Sequence, residues 1–129
     1  MTVLLDTSVI IDVLRQRRGR RELLRSLLEQ GYELACTAIN VAEVYSGMRS
    51  EEAEATSEFI ESLEFVAIGR EAARRAGELR RDWQRKGRTL SLPDAFVAAV
   101  ALNFNLALAT DNVKDFPMPE LKFLPLPAA

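Results

Sequence analysis

Apolar residues in this chain fall into short runs that alternate between strand-like and helix-like spacing. Val3–Leu5 reads as a short buried strand with Asp6 at its carboxyl end. Thr7 or Ser8 then caps a helix carrying Val9, Ile10, Val13 and Leu14. Leu23, Leu24, Leu27 and Leu28 recur at helical spacing over Arg21–Gln30, and Gly31 ends that helix. Glu33–Cys36 reads as a second strand, and Thr37 caps a helix from Ala38 to about Met48. A more polar helix follows over Glu51–Leu63, then a short strand over Phe65–Ile68. Arg70–Lys86 predicts a long amphipathic helix with Ala73, Ala76, Leu79 and Trp83 inward. Ser91 caps the next helix, with Asp94 at its third position. Leu106–Ala109 is a near-continuous apolar strand, and one more short strand falls around Lys122–Leu124.

Strands alternating with helices predict a three-layer α/β/α sandwich built on a short, mainly parallel sheet. A chain of 129 residues fits one domain, 1–129, with a sizeable core. With a single cysteine, Cys36, no internal disulfide can form, which fits a reducing cytoplasm. Cys36 sits in an apolar stretch and reads as a small core residue. No secretory signal is apparent, and the run Ala95–Ala109 is too short to span a bilayer. A soluble, cytoplasmic protein with no membrane contact is expected.

Against that background three carboxylates stand out, because each is alone in an uncharged segment. Asp6 is the only charged residue of Met1–Ile11, Glu43 of Thr37–Met48 and Asp94 of Ser91–Thr110. Charge in such segments is costly unless compensated. Asp111 follows directly after the third segment, with Asp115 four positions on. The chain has no histidine, and its arginines lie elsewhere in the sequence. Taken alone, Asp6, Asp94 and Asp111 are also explained as turn or cap residues. Glu43, among Ile39, Asn40, Ser46 and Gly47, suits a site better than a packed core.

In parallel sheets ligands bind outside the carboxyl ends of the strands. Asp6 and Asp111 fall at two such ends, and Glu43 and Asp94 lie on helices able to face the same crevice. Oxygen-only donors select Mg2+ or Mn2+, and zinc is excluded for want of a Cys/His set. Several acids around such ions suit phosphodiester hydrolysis, which needs no histidine and no nucleophilic side chain.

Net charge is −2, so the whole molecule is not a polycation. Its arginines nevertheless cluster, from Arg15 to Arg25 and again from Arg74 to Arg88. They read either as solvated helix faces or as a phosphate-binding rim, with Arg15 and Arg18 lining the substrate path.

LLDTSVIIDVL at the start, NVAEVYSG in the middle and PDAFVAAVAL with LALATDNVKDF near the end resemble the PIN-domain ribonucleases. The similarity is greatest to the VapC-type toxins of bacterial and archaeal toxin–antitoxin pairs, and it covers nearly the whole chain. The resemblance implies an RNA-cleaving enzyme with Asp6, Glu43 and Asp94 as metal ligands. The fourth acid is Asp111, Asp115 or both. Thr7, Ser8 and Thr110 match hydroxyl residues lining such sites. A small antitoxin whose C-terminal segment blocks the active-site groove is implied, as is a homodimer. Small residues in YSGM and AFVAAVA would permit close helix packing. The rival reading is a PIN-like domain that binds RNA or protein without cutting. A receiver domain would need paired early acids and a late lysine. A haloacid-dehalogenase-type phosphotransferase would need an acid where Ser8 stands.

Overall fold

The computed structural model describes residues 1–127. It contains β1 (Thr2–Leu5), α1 (Thr7–Leu14), α2 (Arg20–Glu29), β2 (Glu33–Thr37) and α3 (Ala38–Gly47). These are followed by α4 (Ala53–Ser62), β3 (Glu64–Val66), α5 (Arg70–Arg85), α6 (Leu92–Asn103), β4 (Ala107–Ala109) and β5 (Lys122–Phe123). Single 3-10 turns occupy Ser50–Glu52 and Val113–Asp115. The five strands form one parallel sheet in the order β3-β2-β1-β4-β5. This is the α/β/α sandwich that the alternating pattern predicts.

Side chains alternate along β1, and each face meets a different helical layer. Val3 and Leu5 pack with Val9, Ile10 and Val13 of α1 and with Leu24 and Leu27 of α2. Leu4 points to the opposite face, onto Val97, Val100 and Ala101 of α6 and Ala72 of α5. Leu4 is fully buried, and a leucine moved from water to such a place stabilises by roughly 1.5–3 kcal/mol. The strand is apolar on both sides because both sides are covered. Cys36 is buried, and burial pushes its thiol above the ordinary range, so it serves as a core residue.

Local chemistry departs from expectation in a few places. Asp6, not Thr7 or Ser8, caps α1, its carboxylate accepting from the Thr7 amide at 2.9 Å. The polar helix expected over Glu51–Leu63 begins as a 3-10 turn and becomes α-helical only at Ala53. On α5 the inward alanines are Ala72 and Ala76, while Ala73 is exposed. The AFVAAVA stretch is not a free packing face: Ala95 and Ala99 are buried against Ala76 of the same chain. Thr37 caps α3 as expected, in a capping box with Asn40.

Candidate active site

The sheet register brings the first and last of the acidic segments together. Leu5 pairs with Ala109, and the Asp6 amide donates to the Ala109 carbonyl at 2.9 Å. Asp6 and Thr110 are therefore neighbours at the carboxyl edge of the two central strands. The Thr110 hydroxyl donates to Asp6 Oδ2 at 2.7 Å while the Thr7 amide occupies Oδ1. Thr110 Oγ1 also accepts from the Asn112 amide at 3.0 Å, which orients its proton towards Asp6.

Glu43 projects from α3 onto the start of α1. Thr7 Oγ1 donates to Glu43 Oε1 at 2.6 Å and accepts from Asn40 Nδ2 at 3.2 Å. Asp94 lies in the first turn of α6, where Ser91 Oγ accepts from its amide at 3.2 Å. Pro93 beside it suits a first turn, whose amides have no intrahelical partner.

Burial and neighbouring acids both act on two of these carboxyls. Burial pushes the Asp6 carboxyl above its ordinary range; the Thr110 and Thr7 hydrogen bonds pull against that, and the charges of Glu43 and Asp111 add to it. Burial likewise raises Asp94, opposed by its hydrogen bond with Ser91 and reinforced by Asp6, Asp115 and Glu43. Asp6 thus feels the charges of Glu43 and Asp111, and Asp94 those of Asp6, Asp115 and Glu43.

The donor set is all oxygen and comes from the ends of β1 and β4, from α3 and from the start of α6. Among the described residues no three acids stand close enough together to enclose an ion directly. Oxygen donors are the ones a hard cation such as Mg2+ takes, and Mg2+ uses one or two carboxylates directly while keeping several waters.

The other predicted residues divide. Ser8 Oγ is buried with no hydrogen-bond partner. Arg18 NH1 reaches Asp111 Oδ1 at 3.2 Å and its Nε lies 3.7 Å from Asp12 Oδ2, so Asp12 faces this arginine rather than open solvent. Arg15 is turned to Glu52 Oε2 and the Gly47 carbonyl, both at 3.4 Å, rather than to any of the five acids.

A family model for the PIN domain matches residues 3–117. The chain belongs to the PIN-domain family. Its sequence is 31% identical over 120 residues to ribonuclease VapC19 of Mycobacterium tuberculosis, covering 92% of this chain and 96% of that protein. Among solved structures, a toxin–antitoxin complex from Klebsiella pneumoniae superposes with TM-score 0.75 at 27% identity, covering 92% of both chains. VapBC2 from Rickettsia felis, solved with a DNA fragment from its promoter, shares the fold with TM-score 0.82 at 23% identity, covering 96% of this chain and 98% of that one.

Two residues of this PIN domain hold site acids in a way the sequence did not assign: Asn40, noted there only as a neighbour of Glu43, and Arg20. Asn40 is fully buried, and its Oδ1 accepts from the Thr37 amide and hydroxyl, each at 2.9 Å, while its Nδ2 holds Thr7. An Asn three residues after a Thr cap was the available signal, and it reads as capping alone. Arg20 is 1% exposed and donates to Asp111 Oδ1 at 2.6 Å. Nothing in an arginine-rich run marks one member as buried. The arginines lie elsewhere in the sequence, and folding brings two of them, Arg18 and Arg20, onto Asp111.

Proposed function

We propose that this protein is an Mg2+- or Mn2+-dependent endoribonuclease and the toxin of a toxin–antitoxin pair. The observation that carries the reading is the hydrogen-bonded group at the carboxyl end of β1, where Thr110 and the Thr7 amide hold Asp6 and the Thr7 hydroxyl holds Glu43, with Asp6 and Glu43 adding their charge to Asp94 at the start of α6. Membership of the PIN-domain family and the likeness to a protein named a ribonuclease support it.

In this reading Asp6, Glu43 and Asp94 hold the ion and Asp115 flanks Asp94. The bound ion supplies Lewis-acid stabilisation of phosphate charge and polarises a water for attack. The chain's own residues set the geometry. Thr110 and the Thr7 amide fix both oxygens of Asp6. Thr7 fixes Glu43, and Asn40 fixes Thr7. Ser8 offers a hydroxyl without a protein partner next to Thr7, and Arg18 offers a guanidinium for a phosphate oxygen.

The likeness to a toxin–antitoxin complex supports an antitoxin partner. An open groove of about 550 Å3 lies between α1, α2 and α4, lined by Val13, Leu24, Leu28 and Phe59 with Arg21 and Arg25 on its rim. This surface suits an apolar segment carrying acidic residues opposite the arginines. None of the five acids lines it. A partner that fills the groove and blocks the site must therefore run along α1, whose eight residues span roughly 12 Å. Homodimerisation belongs to the same reading and is checked by light scattering. Among the described residues no helix is long and apolar enough to cross a membrane.

The decisive experiment incubates the purified protein with RNA and Mg2+ or Mn2+, with and without a chelator. Cleavage that stops with the chelator and in Asp94→Asn supports the reading. A wild type that binds neither ion and cuts no RNA overturns it, and with it favours a PIN-like domain that only binds.

A further inference from the structure

The acids of the site are not electrostatically equivalent. Asp6 is held by Thr7 and Thr110, and Glu43 by Thr7, all neutral donors. Among the described residues neither of them, nor Asp94 nor Asp115, forms a salt bridge. Asp111 is different. Its Oδ1 receives Arg20 NH2 at 2.6 Å and Arg18 NH1 at 3.2 Å. Two guanidinium groups on one carboxylate oxygen compensate its charge within the protein, so it has little left to offer a cation.

The two arginines also differ. The Arg20 side chain is 2% exposed, and NH1 donates to the Pro127 carbonyl at 3.2 Å, tying the last described stretch to the start of α2. Among the described residues its Nε has no hydrogen-bond partner, and Asp111 is the only carboxylate that answers this buried charge. The Arg18 side chain is 47% exposed and shared between Asp111 and Asp12. A fixed pair thus lies underneath, and an exchangeable guanidinium lies above it.

The backbone that presents Arg18 is unusual. Gln16 and Arg18 take φ of +54° and +57°, a left-handed conformation that side chains other than glycine seldom adopt, and Gly19 follows at +64°. Such strain persists only when the surroundings over-determine it, and it gathers where a side chain must be aimed. Here Arg17 is tied by its amide to the Asp12 carbonyl at 2.8 Å, and the Arg20 amide to the Arg17 carbonyl at 3.1 Å.

We propose that Asp111 and Arg20 are positioning residues for Arg18, which takes a substrate phosphate beside the acid cluster, and that Asp111 lies outside the ion-holding set. The inference rests on the nuclease reading and adds the residue that meets the substrate. Asp111 gives Arg18 a single contact, at 3.2 Å, on an oxygen it shares with Arg20, whereas a phosphate offers the planar guanidinium two free oxygens, so Arg18 can exchange one partner for the other. Arg20 cannot follow, because it is buried.

The test compares Asp111→Asn, Arg18→Ala, Asp94→Asn and the double variant Arg20→Met/Asp111→Asn by three readouts. These are melting of the metal-free protein, Mn2+ affinity by calorimetry, and KM and kcat on a short RNA oligonucleotide. Asp111→Asn is expected to melt below wild type, because the Arg20 charge loses its partner, and the double variant to recover most of that loss. Asp111→Asn and Arg18→Ala should keep Mn2+ affinity within about twofold, raise KM on the order of tenfold and change kcat little, as loss of uniform substrate binding requires. Asp94→Asn should weaken Mn2+ at least about tenfold. If Asp111→Asn does not fold, the double variant carries the same affinity and KM readouts. The inference is overturned if removing Asp111 weakens Mn2+ as Asp94→Asn does, or if Arg18→Ala leaves KM unchanged. A wild type that neither binds Mn2+ nor cuts RNA defeats the nuclease reading itself, whereas an active wild type with an ion-deficient Asp111→Asn defeats the inference alone.

Discussion

Thr7 Oγ1 stands 2.6 Å from Glu43 Oε1, joining the first turn of α1 to the middle of α3. An ionised carboxylate only accepts, so the single hydroxyl proton of Thr7 is committed to Glu43. The Thr7 oxygen is left to accept, and Asn40 Nδ2 donates to it. Asn40 is therefore one step removed from Glu43 and holds it through Thr7.

Replacing Asn40 by alanine removes that support and the capping box with Thr37 together. The buried Thr37 hydroxyl and amide lose their acceptor, which costs about 1–3 kcal/mol. Urea unfolding of Asn40→Ala should show that loss. Mn2+ affinity should fall about 10–100-fold, the effect of losing a ligand's supporting partner.

Thr110 gives a cleaner test of support, because valine has nearly its shape. Thr110→Val removes the hydroxyl that favours the charged form of Asp6, so Asp6 should become harder to ionise. Mn2+ binding, followed by calorimetry against pH, should then move to higher pH. Thr110→Ser should restore the wild-type profile. An unchanged profile in Thr110→Val would show that the hydroxyl does nothing for Asp6.

Asp94 predicts the pH dependence of stability. Burial holds its folded-state carboxyl above the ordinary 3.8, so the folded chain keeps this proton more tightly than the unfolded chain. Its contribution to stability is then fully present below 3.8 and is lost as pH rises through the folded value. Asp94→Asn should raise the melting temperature of the metal-free protein at neutral pH and leave it unchanged at low pH. Excess Mn2+ should reverse the order at neutral pH, because wild type, binding the ion more tightly, gains more from it.

Leu28 lies on the rim of the apolar groove and is 56% exposed. Leu28→Glu should change folding stability by no more than about 0.5 kcal/mol, as surface substitutions do. RNA cleavage by the free protein should be unaffected. Inhibition by the antitoxin should weaken on the order of tenfold or more, since an apolar anchor and charge match are both spoiled. Undiminished inhibition would place the partner on another surface.

Much of this was legible in the chain because local rules sufficed. Apolar triplets such as Val3–Leu5 and Ala107–Ala109, each running into a cap or turn, are short enough to read as strands covered on both faces, and Thr37 and Ser91 cap the helices they precede. The α/β/α architecture followed from that alternation. The isolation of Asp6, Glu43 and Asp94 in uncharged segments marked them because uncompensated charge there is expensive. Details failed where two local readings were equally good. Asp6, Thr7 and Ser8 are all good caps, and only the path of the chain out of β1 decides for Asp6. One turn of α5 offers Ala72 and Ala73, and only the position of α6 decides which one is buried.

The sequence by itself determined the element order, the parallel sheet and which acids had to find compensation, because burial and capping act within a few residues. The partners were decided only by the tertiary structure. Asp111 and Arg20 are 91 positions apart, and Asp6 and Thr110 are 104 apart. Sheet register and helix packing bring such pairs together, and no local pattern encodes the distance between them. Hence one of the suspected acids, Asp111, proves to be answered by arginines inside the fold, while among the described residues Asp6, Glu43, Asp94 and Asp115 form no salt bridge.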